Sequence, residues 1–252
     1  LNTTVRVHVK VDTGMGRLGL LPDQVAPFFE GLQALENVEV EGVFTHFSVA
    51  DSEDKAYTLE QLATFQRVLG ELERQHARPP YVHAANSAGT LSIPEARFNL
   101  VRVGIALYGL DPSPEEGLPA VFQPALAWKS TVAQVKTLPP GSSIGYGQTY
   151  VTREQESIAV IPVGYADGFR RAPQHWGEVL IKGQRAPIVG RISMDQATVN
   201  VTHIPDVRIG DEVVLIGRQG DERITAEDVA RCLGTINYEV VAAILARVPR
   251  VT

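Results

Sequence analysis

Val5-Arg6-Val7-His8-Val9-Lys10-Val11-Asp12 sets the fold of the first half of the chain, because its apolar and polar residues alternate with the period of a β-strand. The four valines share one face. An apolar face covered by helices, opposite a polar face, is typical of an inward-facing barrel strand near an active site; on an open surface strand the polar face would meet solvent. The glycine-rich loop Thr13–Gly19 follows and places Arg17 beyond the carboxyl end of the strand. Its spacing is not G-x-G-x-x-G, so it does not predict a dinucleotide site.

Strand, loop and helix alternate four times before residue 110, which predicts a parallel sheet with right-handed crossovers. Helical spacing occurs at Val25, Phe28, Leu32 and Leu35, and again at Leu62, Phe65, Leu69 and Leu72. Further strands are predicted at 40–47, 81–84 and 99–103. A complete (β/α)8 barrel takes roughly 250 residues. The first half is therefore either an open sheet or the carboxyl-terminal half of such a barrel.

The proline-rich segment Asp111–Pro119 predicts a domain boundary, with a partial barrel at 1–118 and a second domain at 119–252. Short apolar runs separated by Gly and Pro turns make this second domain mainly β. The runs are Thr131–Val135, Ile158–Val163, Val179–Ile181, Ala197–Val201 and Glu212–Ile216. One helix is predicted after Thr225, with Asp228 completing a capping box and Gly234 ending it.

Composition excludes several classes of function. The 252 residues carry a net charge of −6 without a basic block, so nucleic acid is not an expected partner. A single cysteine excludes an internal disulfide framework and favours a reducing, cytoplasmic compartment. No apolar run reaches the length of a membrane span, so no membrane association is expected. The sequence has neither a C-x-x-C motif nor two histidines at i,i+4 spacing, so it does not predict a metal site. Small-molecule chemistry is the remaining expectation.

Candidate catalytic groups are polar residues at strand ends and one unusual tyrosine. Tyr146 lies between two glycines, which favours a tight loop that holds the phenol out as an acid or base, although a turn tyrosine bonded to backbone would look the same. Small and hydroxyl residues at Asn86-Ser87 and Gly104-Ile105 suit a phosphate site, or ordinary helix caps and turns. Together with His46, this pattern predicts an enzyme for a phosphorylated cofactor or sugar, with tyrosine in proton transfer.

Eight segments in order make the chain recognisable: HVKVDTGMGRLG, THFSVAD, HAANSAGT, VRVGIALYG, GYGQTY, VGYADGF, GRISMDQ and NYEVVAAILARVPR. They resemble alanine racemase over nearly the whole chain. The resemblance implies a fold-type III pyridoxal 5′-phosphate enzyme with a TIM-like barrel followed by a β-domain. It further implies a homodimer with shared active sites, and interconversion of L- and D-alanine that supplies D-alanine for peptidoglycan.

The resemblance also assigns roles to individual residues. Tyr146, His46 and Arg102 match the catalytic tyrosine-histidine-arginine chain, and Arg102 is expected to bond the pyridine nitrogen of the cofactor. Its phosphate is expected at Asn86, Ser87, Gly104, Ile105 and Tyr238. Substrate contacts are expected at Arg17, Met194, Lys10, Tyr165 and Asp195, with Lys10 at the position of a lysine that is often carbamylated. The corridor to the site is expected at Asp51, Tyr165, Arg171, Arg191 and Ile236.

The chain departs from the family in two ways. The motif with the lysine that holds the cofactor is absent, so we expect the carboxyl-terminal two-thirds of a racemase, inactive alone. Ser193 stands where many relatives have cysteine, a nearly isosteric change. Three alternatives remain open at this stage: a racemase for serine or another amino acid, a pyridoxal-dependent decarboxylase, and a non-catalytic dimerisation module.

Overall fold

A computed structural model describes residues 3–113, 117–172 and 175–251. The chain divides into two compact units, Leu1–Gln123 and Pro124–Thr252. The predicted boundary at Asp111–Pro119 includes residues 114–116, which lie outside the described residues. Within the described residues, no helix combines the length and apolarity that crossing a bilayer requires.

The first unit is built on a parallel sheet with the strand order β1 (Val5–Lys10), β2 (Val38–Phe44) and β3 (Tyr81–His83). Helix α1 (Pro22–Gln33) connects β1 to β2, and α2 (Ala56–Arg74) connects β2 to β3. Lys10 pairs with Phe44 and Phe44 with His83, so the three strands end level with one another. The predicted strand and helix alternation is thereby confirmed for these three strands. Their common carboxyl edge carries the polar residues described below.

The fourth predicted strand, at 99–103, is wrong. This segment begins in a turn at Asn99 and continues without regular secondary structure, and its Arg102 N–H donates to Ala85 O, just beyond the end of β3, at 3.0 Å. The side chain of Asn99 takes the place of a strand partner: its Oδ1 accepts from Val82 N–H at 2.8 Å, and its Nδ2 donates to Pro80 O at 2.6 Å. An amide side chain carries the donor and acceptor of a peptide group, so it satisfies the edge of β3 without a ladder.

The two long helices pack as their apolar spacing indicates, with one exception. All four predicted positions of α2 are buried. In α1 the buried residues are Val25, Ala26 and Phe29, whereas the predicted core residue Phe28 is 43% exposed. Phe28 and Phe29 fit the helical period equally well, so sequence spacing could not choose between them. Leu35 is exposed because α1 ends before it. After β3, the short helix α3 (Ser87–Ser92) precedes the segment 99–103.

The second unit is mainly β, as predicted. Its strands are β4 (Trp128–Thr131), β5 (Gln134–Leu138), β6 (Ser143–Ile144), β7 (Tyr150–Val151), β8 (Glu156–Ile161), β9 (Glu178–Ile181), β10 (Gln184–Pro187), β11 (Ala197–Asn200), β12 (Glu212–Gln219) and β13 (Glu222–Ile224). Strand β12 pairs with β4, β9 and β13, and β8 pairs with β5 and β11. The predicted single strand at Thr131–Val135 is wrong, because the chain passes there from the sheet of β12 to the sheet of β8.

An aromatic cluster fills the core of the second unit. Trp128 and Trp176 meet edge to face with their ring centroids 5.4 Å apart, and Phe169 lies 4.7 Å from Trp176. Helix α4 (Ala226–Leu233) begins with the predicted capping box. The Asp228 carboxylate accepts from Thr225 N–H, and the Thr225 hydroxyl oxygen accepts from Asp228 N–H. Gly234 ends it at φ 68°. A further short helix, α5 (Asn237–Ala242), was not predicted.

Candidate active site

Arg102 is the centre of the candidate site in the first unit. It lies at the carboxyl ends of β2 and β3, where its guanidinium carbon is 5.3 Å from the centroid of the Phe44 ring. Nη2 donates to Thr45 O at 2.8 Å and to Ala84 O at 3.2 Å. Burial lowers the pKa of Arg102, but a guanidinium keeps its charge in a protein, so it acts only as a donor. Its five N–H groups exceed the acceptors around it, and a donor remains for a ligand.

His46 and Arg102 are brought together as predicted. Arg102 Nη2 donates to His46 Nδ1 at 3.1 Å, so neutral His46 carries its proton on Nε2. Burial lowers the pKa of His46, and the nearby charges of Arg102, Arg17 and Lys10 lower it further. At neutral pH His46 is therefore an uncharged imidazole with an N–H to offer.

His83 is a member of this site that sequence reasoning missed. It is buried at the end of β3, its ring stacks on Phe44 at 4.8 Å, and Arg102 Nη1 donates to its Nδ1 at 2.5 Å. Burial and the adjacent charges lower the pKa of His83 to about 4, with desolvation the main cause. In β1, the alternation of polar with apolar residues marks His8 and Lys10 as residues of one polar face. Strand β3 has only three residues, too few for such an alternation to be recognised, so the sequence did not mark His83.

Lys10 and Arg17 add positive charge to the same edge. Burial lowers the pKa of Lys10, and the charges of Arg17 and Arg102 lower it further, whereas Asp12 opposes them. Asp12 instead shapes the loop that carries Arg17: its Oδ1 accepts from Gly14 N–H and Gly16 N–H, each at 3.0 Å. Three cations around one edge attract an anion such as a carboxylate.

The predicted phosphate residues in the first unit also meet. Asn86 caps α3 by accepting from Gly89 N–H at 2.9 Å. Ser87 Oγ accepts from Gly104 N–H at 2.9 Å and from Ala106 N–H at 3.4 Å, so the hydroxyl proton remains available to donate. A Cβ on Gly104 would lie 4.0 Å from Ser87 Oγ, and Ile105 is buried. The hydroxyl proton of Ser87 is the donor that this cluster can offer to an anion.

Of the remaining predicted site residues, Asp51 lies in the first unit, where its backbone O accepts from Ser113 Oγ at 2.6 Å, and the others lie in the second unit. Tyr146 is 67% exposed on a turn between Gly145 at φ 72° and Gly147 at φ 74°, and the guanidinium of Arg171 lies 6.0 Å from its ring. The turn is a 3₁₀ turn between β6 and β7. Buried Glu156 holds β7, because it accepts from Tyr150 Oη at 2.7 Å. The exposed phenol of Tyr146 is therefore carried by a turn whose following strand, β7, is anchored by Glu156.

The loops that carry two substrate-binding candidates, Tyr165 and Met194, are joined by backbone hydrogen bonds. Tyr165 N–H donates to Ser193 O at 3.1 Å, and Ala166 N–H donates to Met194 O at 2.8 Å. Gly164 permits this approach, because a Cβ there would lie 2.5 Å from Met194 C and Met194 O. The side chains of Tyr165 and Met194 are 43% and 58% exposed. Asp195 follows on the same loop, and Ile236 and Tyr238, which are also exposed, lie at the start of α5.

No cluster of three or more His, Cys, Asp or Glu side chains within residues 3–113, 117–172 and 175–251 is arranged to hold a metal ion.

Comparison with known families accounts for both units. A model of the alanine racemase N-terminal domain matches residues 1–112, and a model of the alanine racemase C-terminal domain matches residues 125–252. The chain is 51% identical over 250 residues to alanine racemase of Symbiobacterium thermophilum, covering 99% of this chain and 66% of the relative. It is 49% identical over 251 residues to alanine racemase of Desulfovibrio desulfuricans, covering 100% of this chain and 67% of the relative.

Solved structures give the same result. The alanine racemase of Bacillus anthracis with bound L-Ala-P superposes with a TM-score of 0.92 at 44% identity, covering 98% of this chain and 64% of that one. The alanine racemase of E. faecalis also reaches a TM-score of 0.92, at 43% identity. The chain spans about two thirds of the length of the relatives that it matches, 66% for that of Halothermothrix orenii.

Proposed function

The chain belongs to the alanine racemase family, and on this premise we propose that the protein containing it interconverts L- and D-alanine with pyridoxal 5′-phosphate as its cofactor. The observation that carries the proposal is the contact between Arg102 and His46 at the carboxyl edge of the sheet, with Lys10 and Arg17 beside it. An uncharged imidazole and an excess of cationic donors suit an amino acid and a phosphorylated cofactor.

The residues present fit this cofactor. Arg102 has an N–H left to donate to a pyridine nitrogen, and as a permanent donor it favours the unprotonated ring. Ser87, Asn86, Gly104 and Ile105 would hold the phosphate, with Tyr238 as a further ligand. When bound, pyridoxal phosphate makes the substrate Cα–H acidic by delocalising its electron pair. An arginine at the ring nitrogen moderates that effect and would restrict side reactions.

The cationic residues would orient the substrate. Arg17 is proposed to bind its carboxylate through the side chain, and Met194 through the backbone N–H. The loop held by Asp12 fixes the base of Arg17. Lys10, Tyr165 and Asp195 complete the proposed substrate contacts; a carbamate on Lys10 would add an anion that orients Arg17.

Tyr146 is the proposed acid and base on one face of the substrate α-carbon. The proton on His46 Nε2 would be donated to the phenol oxygen, which lowers the cost of forming a phenolate. The five lysines of the chain are Lys10, Lys55, Lys129, Lys136 and Lys182. None has the setting of the family's cofactor lysine, so we place the second base outside these 252 residues.

The same premise supports two proposals about architecture. The three parallel strands of the first unit would form part of a TIM-like barrel, with their carboxyl ends toward the cofactor. Two copies would form a homodimer in which the barrel of one subunit and the Tyr146 loop of the other build each active site.

Substitution of Tyr146 by Phe in the full-length protein tests the function. Loss of a general acid or base slows turnover by about 10²- to 10⁴-fold. We expect kcat/KM to fall within this range and by the same factor in both directions, because the equilibrium constant between two enantiomers is 1. Turnover is measured by circular dichroism from each enantiomer. Tyr108→Phe, which removes a tyrosine hydroxyl in the other unit, is the matched control. Equal rates for both variants would refute the role of Tyr146.

Product analysis separates the alternatives. Incubation with L-alanine should yield D-alanine without carbon dioxide, whereas a decarboxylase would release it. A larger kcat/KM for serine than for alanine would instead assign a different substrate.

A further inference from the structure

A row of hydrogen-bonded side chains continues from Arg102 away from the candidate site and along the polar face of the sheet. His83 Nε2 lies 2.8 Å from His8 Nδ1, and His8 Nε2 lies 3.5 Å from Glu41 Oε2. The other carboxylate oxygen of Glu41 accepts from Arg6 Nη1 at 3.1 Å. The row therefore joins β3, β1 and β2 and ends where Arg6 is exposed to solvent.

The direction of hydrogen bonding in this row is determined by Arg102. Arg102 can only donate, so in this contact His83 Nδ1 accepts and its proton resides on Nε2. That proton is donated to His8 Nδ1, and His8 Nε2 faces Glu41 Oε2 at 3.5 Å. The two hydrogen bonds therefore run outward, from Arg102 to His83 and from His83 to His8. Reversing the second bond would move the His83 proton to Nδ1 and place two donors against each other at Arg102.

The backbone makes room for His8 in this row. The pairing of β1 with β2 shifts register between Val7 and His8, and His8 then pairs with Gly42. A Cβ on Gly42 would lie 2.5 Å from His8 Cε1 and 2.8 Å from His8 Cγ. Tyr81 stacks on the imidazole with the centroids 6.1 Å apart. The close approach to Gly42 and the stacking on Tyr81 both restrict the ring, whose Nδ1 faces His83.

We propose that His8 is a positioning residue that holds His83 in its Nε2–H tautomer, and that His83 in turn holds Arg102 with a free N–H directed at the cofactor ring. The depressed pKa of His83 is consistent with this arrangement, because a protonated His83 would turn a donor toward Arg102. The proposal rests on the proposed function for the role of Arg102, but the tautomer itself does not depend on it.

Two substitutions of His8 test separately its role as a hydrogen-bond acceptor and the packing of its ring. Asn places its amide oxygen close to the position of Nδ1 and can accept from His83, whereas Phe keeps the stacked ring but has no acceptor. Glu41→Gln keeps an acceptor for His8. Glu39→Gln, at an exposed carboxylate on the same strand, is the control.

The test is ¹⁵N NMR of histidine side chains in the full-length protein, which distinguishes protonated from unprotonated ring nitrogens without any turnover. We expect His83 to show unprotonated Nδ1 and protonated Nε2 in the wild type, His8→Asn, Glu41→Gln and Glu39→Gln. In His8→Phe we expect a mixture of tautomers, because without the acceptor at His8 a fraction of His83 turns away from Arg102 and carries its proton on Nδ1. We also expect His8→Phe to weaken pyridoxal phosphate binding by about three- to tenfold, the worth of one hydrogen bond, and His8→Asn to restore it.

Protonated His83 Nδ1 in the wild type, or an unchanged tautomer in His8→Phe, would overturn the proposal. Restoration by His8→Asn also distinguishes it from loss of packing, since Asn fills less space than Phe. A protein with the expected tautomer but without alanine racemisation would retain the inference about His83 and refute the proposed function instead.

Discussion

Gly164→Ala tests the claim that the Tyr165 and Met194 loops approach too closely for any side chain at position 164. The backbone there is extended at φ −153°, so alanine costs nothing in conformation. The cost arises from contact: the new Cβ would lie 2.5 Å from Met194 C and Met194 O, and closer still to Ser193 O. These are backbone atoms, which cannot rotate away.

The magnitude follows from two contributions. Overpacking costs about 1–3 kcal/mol. Separating the loops also weakens the bonds from Tyr165 N–H to Ser193 O and from Ala166 N–H to Met194 O, at about 0.5–1.5 kcal/mol each. We expect Gly164→Ala to lower the free energy of unfolding by about 2–6 kcal/mol. With a urea m-value of about 2 kcal/mol/M, the midpoint would fall by about 1–3 M.

Tryptophan fluorescence in urea is the assay, because Trp128 and Trp176 are the two tryptophans of the chain and both are buried in the unit that holds Gly164. Gly210→Ala is the matched control: its φ is +92°, but a Cβ there meets nothing within 4 Å. It should cost only the backbone strain, about 1–2 kcal/mol. A Gly164→Ala midpoint at or above that of Gly210→Ala would refute the argument.

Two further substitutions test the first unit. The backbone N–H groups of Gly16 and Gly14, in that order, lower the pKa of Asp12, so its stabilisation is present above the ordinary value of 3.8 and is lost as pH falls through the lower folded value. Asp12→Asn should therefore flatten the loss of stability below pH 3.8, as measured by urea unfolding at several pH values; parallel curves would contradict this. Leu72→Ala removes a side chain with 0% exposure and should lower the free energy of unfolding by about 2–5 kcal/mol, as followed by circular dichroism. The control Leu59→Ala, at 50% exposure, should change it by no more than about 0.5 kcal/mol. Equal losses of stability in the two variants would count against the packing of α2.

Elements with a strong period were predictable from the sequence. The stripe of α2 follows directly from which residues exclude water, whereas in β1 the valine face is buried at Val9 but exposed at Val5. The capping box of Thr225 and Asp228 was predictable because it depends on neighbours three residues apart. Asn99 escaped prediction because its side chain substitutes for a strand through contacts with Pro80 and Val82, far away in the chain.

The candidate site divides in the same way. Arg102 and His46 could be named because they stand in recognisable segments, and their contact is found in the structure. His83 could not, since its importance depends on the alignment of β3 with Phe44 and on the arginine that crosses above it. The orientation of its hydrogen bonds is a property of three strands together and has no counterpart in any one segment.

The central position of β12 has a consequence for biosynthesis. Its pairing with β4 joins residues such as Lys129 and Glu212, which are 83 positions apart. Because β12 also bridges β9 and β13, this sheet cannot close until the ribosome has released most of the second unit. Until then the apolar residues of β4 and β9 have no permanent cover, and the nascent chain depends on slow, long-range pairing. A chaperone that shields these strands should raise the yield of folded protein more than one that acts on the first unit, where neighbouring elements pair in order.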